Sequence, residues 1–277
     1  TACVAIAKGI NVIQEFFTEK FSKNLCEEGI RADLVVANNV LAHVPDINDF
    51  IKGIKRILKP NGVFTAEFPH LVNLIKENQF DTIYHEHFSY LSITFLTKIL
   101  KKFGLRIWKI EKLNTHGGSL RTYVINSSDK RNTQKSVNQI LNEEKIFGLD
   151  CIETYSDFVI NMNKIKIDLL TFLLNKKRNA ETVVGYGAAA KANTLLNFCG
   201  IKNDLISEIY DKSPSKQGKF LPGSRIPIKA PELLNHFSPS SVIIFPWNIE
   251  NEIVSELSHL KKRGCTFVTC IPELRLF

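Results

Sequence analysis

Apolar and polar positions along the chain switch between two periods. From Thr18 to Glu28 the spacing is helical and stops at Gly29, whereas Ala32 to Val40 is an apolar run suited to a buried strand. Asp46 opens a second helical stretch with Phe50, Ile54, Ile57 and Leu58 on one face, closed before Pro60-Asn61-Gly62. Gly62 to Phe68 reads as the next strand. Ahead of these, Thr1 to Lys8 reads as the end of a helix with Gly9 as its C-cap, and Ile10 to Ile13 as a short strand. Strand–helix alternation of this kind predicts a parallel sheet with crossover helices.

After Pro69 the pattern loosens. A helix over Ile93 to Phe103 leads to a hairpin-like pair, Leu105 to Lys112 and Ser119 to Asn126. Residues 127–178 are polar and helical and read as a connector. A second alternation begins at Thr182-Val183-Val184, with strands over Ile206 to Tyr210, Ser241 to Phe245 and Thr266 to Cys270, and a helix over Glu250 to Lys262. Both halves are therefore α/β.

Composition narrows the class. With 277 residues, 44% hydrophobic and 23% charged, the chain reads as ordinary globular protein. No apolar run approaches the roughly 20 residues of a membrane helix, and no basic-then-apolar leader opens the chain, so a soluble cytoplasmic protein is expected, with no membrane partner. Six cysteines contain no CxxC pair, which argues against a structural zinc site and suits reduced thiols. The net charge of +8 is mild; its densest pieces, Lys176-Lys177-Arg178 and Lys261-Lys262-Arg263, end helical stretches where cations complement the dipole. No nucleic-acid partner is expected, although a phosphate-bearing small substrate suits a basic cleft. The chain starts at Thr1 and its one methionine is Met162, which reads as a processed, excised or incomplete chain.

Chemistry concentrates in Tyr84-His85-Glu86-His87, and five of seven histidines (His43, His70, His85, His87 and His116) fall within one third of the chain. Histidine exchanges protons near neutral pH, and a neighbouring carboxylate such as Glu86 can hold its tautomer. Adjacent positions in a regular strand point oppositely, so that role needs irregular backbone. A His-x-His pair also suits metal, but no third ligand has obvious spacing, and no metal site is expected. The second feature is Gly185-x-Gly187-Ala188-Ala189-Ala190-Lys191, after a strand and opening a helix, where small residues and helix N–H groups suit a phosphate. Asp211, about 20 residues on, stands where a ribose-binding acid would. Trp247, past a strand, is placed to stack on a base or sugar, and Arg225 to reach a phosphate. In the first half Asn38, Asn39 and His43 follow a strand, and Phe16 and Phe17 offer an aromatic cover for adenine.

The segments Glu67-Phe-Pro-His70, Phe80-Asp-Thr-Ile-Tyr84-His85-Glu86-His87-Phe88-Ser89-Tyr90, Gly117-Gly118-Ser119-Leu120-Arg121 and Gly185 to Leu196 resemble the S-adenosylmethionine-dependent sugar C-methyltransferases. The resemblance runs over nearly the whole chain. It implies two Rossmann-like parallel-sheet domains joined by helices: a class I methyltransferase domain, incomplete at its front, over 1–128, a connector over 129–178 and a substrate-binding domain over 179–277. It implies a small zinc-binding module ahead of these, and neither that module nor the glycine-rich cofactor loop is present in this sequence. The implied reaction joins a methyl group from S-adenosylmethionine to a ring carbon of a nucleotide-linked keto-deoxysugar, through an enolate formed by a base. His87 is the implied base, Glu86 and Tyr84 orient it or bind substrate, and Asn39 and His43 lie by the sugar and cofactor. Gly187, Ala188, Ala189 and Lys191, with Arg225, Trp247 and Arg121, would hold the sugar nucleotide. Oligomeric state stays open, a monomer being sufficient for the family.

Two other readings remain. An NAD-dependent dehydrogenase built on Gly185 to Asp211 leaves the Tyr84 to His87 cluster unexplained. A nucleotide-sugar-binding remnant, inactive for want of the cofactor loop, would bind without transferring a methyl group.

Overall fold

The computed structural model describes residues 2–277; Thr1, the first position of the expected opening helix, lies outside the described residues. The helix α1 (Ala2–Ala7) ends at Gly9, whose φ of 78° lets its N–H and that of Ile10 fold back on the carbonyls of Ile6 and Ala5. The expected strand over Ile10 to Ile13 does not form. Among the described residues no neighbouring strand takes its backbone hydrogen bonds, and both isoleucines are exposed.

The described residues divide into two compact units. The first holds residues 2–70, 88–113 and 118–146, and the second 71–87, 114–117 and 147–277. The connector expected over 129–178 thus contributes to both.

In the first unit Thr18 caps α2 (Glu19–Glu27) through the N–H of Phe21. The strand β1 (Ala32–Asn38) is followed by a 3-10 turn over Leu41–His43, and then Asp46 caps α3 (Ile47–Ile57) by accepting from Asn48 and Asp49. Helix α3 buries Ile47, Phe50, Ile51, Ile54 and Ile57 on one face. The strand β2 (Leu58–Pro69) runs parallel to β1. Helix α4 (Leu71–Lys76) comes next in the chain but belongs to the second unit. Helix α5 (Ile93–Lys102) and the hairpin strands β3 (Leu105–Leu113) and β4 (Ser119–Asn126) then complete a sheet of order β1-β2-β4-β3. Because the hairpin lays β4 antiparallel on β2, this sheet is mixed and only its β1–β2 half is parallel. β1 is an edge strand, and Leu34 and Val36, two residues apart on one face of it, are exposed where burial was expected. Helix α6 (Lys135–Phe147) closes the core with Val137 and Ile140.

The second unit continues with the 25-residue α7 (Thr154–Arg178), then β5 (Val183–Tyr186), α8 (Ala190–Cys199), β6 (Ile209–Tyr210), β7 (Ile228–Lys229) and β8 (Ser241–Ile244). The helix expected over Glu250 to Lys262 is two short ones, α9 (Glu250–Glu256) and α10 (Ser258–Lys262), before β9 (Thr266–Thr269) and β10 (Arg275–Leu276). Strand order is β10-β9-β8-β5-β6-β7, with every pair parallel except β10 on β9. The chain winds outward from β5 to β6 and β7, then returns to β8 on the other side. That reversal makes the carboxyl ends of β5 and β8 a topological switch point, where open α/β sheets bind ligands. This is the Rossmann-like pattern of an α/β fold.

Candidate active site

The carboxyl end of β5 continues as Gly187, whose N–H bonds the Tyr210 carbonyl at 2.7 Å. Its φ is 91°, and a Cβ here would lie 2.4 Å from Cγ of Pro246, which follows β8. Two strand ends therefore meet through a residue that must be glycine. Ala188 donates its N–H to Oδ2 of Asp211 at 2.7 Å, and Lys216 reaches the same oxygen at 3.1 Å and the Ala188 carbonyl at 2.9 Å. The other oxygen, Oδ1, accepts from the Ser213 N–H. Both oxygens of Asp211 thus brace the loop from inside the protein, which removes the ribose-binding role suggested by its spacing. The N–H of Ala188 is likewise occupied. Ala189 is the N-cap of α8 and makes no side-chain cap hydrogen bond, which makes the first-turn N–H groups candidate anion donors.

Lys191, in that first turn, donates to Oδ1 of Asn248 at 2.8 Å and lies 3.9 Å over the Trp247 ring. Burial pulls its ammonium below the usual lysine range, and the charge of Asp81 works in the opposite direction. Trp247 is not an open stacking surface. Its Nε1–H donates to Oδ2 of Asp81 at 2.8 Å, and a Cβ on Gly117 would come within 2.5 Å of the ring edge. Arg225 is exposed, in the left-handed region at φ 57°.

The histidine cluster belongs to the same unit. Tyr84 to His87 is a turn closed by the His87 N–H on the Tyr84 carbonyl at 3.0 Å, not a strand, so the alternation that would separate its side chains does not apply. The Tyr84 and His87 rings stack with centroids 4.3 Å apart. Nδ1 of His87 lies 2.8 Å from the Thr82 carbonyl. A carbonyl only accepts, so Nδ1 carries the proton and the neutral ring keeps its lone pair on Nε2. Thr82, which sequence reasoning did not single out, therefore supplies the acceptor that fixes the tautomer at Nδ1. Glu86 is exposed on the turn beside it.

In the first unit the carboxyl ends of the parallel strands β1 and β2 carry Asn38, paired with Glu67, and Asn39, which turns at φ 53° and donates its N–H to the Glu67 carbonyl at 2.8 Å. His43 is exposed at the end of the next 3-10 turn. Arg121 stands opposite Glu67 on β4 and pairs with its buried carboxylate at 2.8 Å. That hydrogen bond raises the Arg121 pKa, and it engages the guanidinium expected to hold substrate. Phe16 and Phe17 part company. Phe17 packs edge-on against Phe50 at 5.4 Å and joins the core, whereas Phe16 is 91% exposed. Of the five clustered histidines, His70 is structural, with its Nε2 buried on Glu144.

Among the described residues no group of three or more His, Cys, Asp or Glu is arranged to hold a metal ion, and no helix is long and apolar enough to cross a membrane.

Comparison with known proteins gives the family. A family model described as C-methyltransferase C-terminal domain matches residues 114–272, and one described as methyltransferase domain matches residues 2–110. The chain is 34% identical over 275 residues to C-methyltransferase NovU of Streptomyces niveus, covering 99% of this chain and 66% of that protein. The chain thus spans about two thirds of the length of that relative, slightly under. Among solved structures, the M1.HpyAVI–SAM complex aligns over 43% of this chain and 55% of its own at 11% identity and a TM-score of 0.28. Phospholethanolamine N-methyltransferase 2 of Haemonchus contortus, in complex with phosphomonomethylethanolamine and S-adenosylhomocysteine, aligns over 96% of this chain and 67% of its own at 12% identity and a TM-score of 0.27.

Proposed function

The chain belongs to the C-methyltransferase family, and from that premise we propose that it transfers a methyl group from S-adenosylmethionine to a ring carbon of a nucleotide-linked keto-deoxysugar. The observation that carries this reading is the Nδ1–H bond of His87 to the Thr82 carbonyl. It orients an imidazole whose Nε2 accepts a proton, as methylation at carbon requires. A ketone acidifies the neighbouring C–H; Nε2 takes that proton, and the electron pair left behind becomes the enolate that forms the new carbon–carbon bond. General-base help of this kind is typically worth about 10²–10⁴-fold. S-adenosylmethionine would supply the methyl group from a positively charged sulfur, the methyl–sulfur bond breaking with its electron pair left on sulfur and neutral S-adenosylhomocysteine as the leaving group.

Each remaining residue has a role fitted to its surroundings. Asn38 and Asn39, at the carboxyl ends of parallel strands, and the exposed ring of Phe16 suit the cofactor's polar and adenine parts. Tyr84 backs the His87 ring, while His43 and Glu86 are exposed polar groups for the sugar. Gly187, Ala189 and the uncapped first turn of α8, with Lys191 and Arg225, suit the diphosphate. Within the second unit Trp247 is engaged by Asp81, and within the first Arg121 is engaged by Glu67, so neither is assigned to the nucleotide.

Mass spectrometry of the protein with S-adenosylmethionine and a panel of keto-deoxysugar nucleotides tests this. The expected product is heavier by one methylene, with the new methyl on carbon. Binding of the sugar nucleotide with no mass gain would leave a binding protein in place of an enzyme. Tight NADH binding with no response to S-adenosylmethionine would restore the dehydrogenase.

A further inference from the structure

A lone 3-10 turn is a poor anchor, since one turn has few internal bonds to resist fraying. Yet the turn over Phe80–Thr82 presents the carbonyl that holds His87. Its neighbours in the second unit supply the missing rigidity. Phe80 is buried against Phe198 at 5.1 Å, and Asn78 donates to the Pro272 carbonyl at 3.1 Å. The Thr82 hydroxyl and N–H both return to the Gln79 carbonyl, at 2.7 and 3.0 Å.

The central attachment is Asp81. The residue is 1% exposed, Oδ2 receives the Trp247 N–H, and Oδ1 is buried without a hydrogen-bond partner among the described residues. A buried carboxylate with one oxygen unmet is costly, and it persists where the surroundings over-determine it. They do so here. Trp247 is held in turn by the Lys191 ammonium over its ring and by Gly117, whose carbonyl accepts from Gln79 Nε2 at 2.8 Å. Gln79 precedes the same turn, so the indole is fastened to it from both sides.

We propose that Trp247 and Asp81 are positioning residues for His87, locking the Thr82 carbonyl so that the imidazole stays in its Nδ1–H tautomer. Trp247 touches no reacting atom in this arrangement; it acts through Asp81, and Asp81 through the peptide it shares with Thr82. This deepens the proposed function and rests on His87 being its base. A ring that flips tautomer presents N–H where the lone pair is needed, so loosening the carbonyl removes the base without removing the histidine.

Nitrogen NMR of the whole protein with isotope-labelled histidine reads the tautomer directly, with His87→Gln to assign the resonance. Trp247→Phe keeps an aromatic six-membered ring and deletes the donor; Asp81→Asn keeps an acceptor oxygen; Asp81→Ala keeps nothing. Trp247→Phe and Asp81→Ala are expected to raise the Nε2–H share of the neutral ring several-fold, and Asp81→Asn to leave it as in the parent. The rate of methyl transfer should follow the same order, falling by up to about 10²-fold in kcat with KM little changed. Parent-like nitrogen shifts in folded Trp247→Phe overturn the proposal, and that variant decides alone if Asp81→Ala does not fold. An altered tautomer in a protein that methylates no sugar would keep the positioning role and sink the proposed function instead.

Discussion

The carboxylate of Glu144, on α6, caps the start of α5 and holds His70 at the same time. Oε1 lies 2.8 Å from Nε2 of His70 and 2.6 Å from the Ile93 N–H, while Oε2 takes the N–H and the hydroxyl of Thr94, both at 2.7 Å. Burial alone would raise the Glu144 pKa, but these hydrogen bonds outweigh it and hold the carboxyl below its usual value. Glu144→Ala strands a buried imidazole and two helix amides and is expected to cost about 3–5 kcal/mol, whereas Glu144→Gln keeps one acceptor and should cost less. Urea melts of both variants check the order. With the folded pKa below the unfolded one, this stability is complete above the unfolded value and is lost as pH falls through the folded one, so the parent's acid limb should flatten in Glu144→Gln.

Asp81 has the opposite sign. Burial raises its pKa to about 6, against the lowering effects of the Lys191 charge and the Trp247 hydrogen bond. Between the ordinary carboxyl pKa near 3.8 and about 6, the folded state holds a proton that the unfolded state has lost, so stability falls as pH rises through that window. At about 1.4 kcal/mol per unit, the loss is on the order of 3 kcal/mol. Asp81→Asn should remove this slope, as read by melting temperature against pH.

Glycine is required unequally along the second unit. Gly187→Ala must carry a side chain in the left-handed region and drive a Cβ to 2.4 Å from Pro246, so it should cost upward of about 2 kcal/mol. Gly200 caps α8 at φ 74° with nothing within 4 Å, and Gly200→Ala should cost only about 1 kcal/mol. Chemical denaturation of the pair separates crowding from backbone strain.

Loss of the base should act on rate more than on binding. His87→Gln is expected to lower kcat for methyl transfer by about 10²–10⁴-fold with sugar-nucleotide affinity retained, by single-turnover assay and calorimetry. A variant with unchanged turnover would take His87 out of the chemistry.

The two adjacent phenylalanines should separate by assay. Phe17→Ala removes a ring packed on Phe50 and is expected to destabilise by about 2 kcal/mol or more, while Phe16→Ala leaves the melting temperature in place and weakens S-adenosylmethionine binding. Thermal melts and calorimetry read the two effects independently.

What could be read from the sequence was local. The helical stretches of α2, α3 and α5, the opening of α3 at Asp46 with its apolar face, the hairpin of β3 and β4, and the strand-to-helix turn at Gly187 were legible, because periodicity and turn chemistry act within a few residues. Tertiary structure decided which partner each polar group takes. It made β1 an edge strand, left residues 10–13 outside any strand, and turned Asp211 onto the Ala188 N–H. His70 meets Glu144 across 74 positions, and Trp247 meets Asp81 across 166. Hydrophobic pattern records which face seeks burial, but a hydrogen bond depends on atoms that only the folded chain brings within 3 Å, and that is why His70 and His87, alike in the sequence, are a buried brace and a positioned imidazole in the fold.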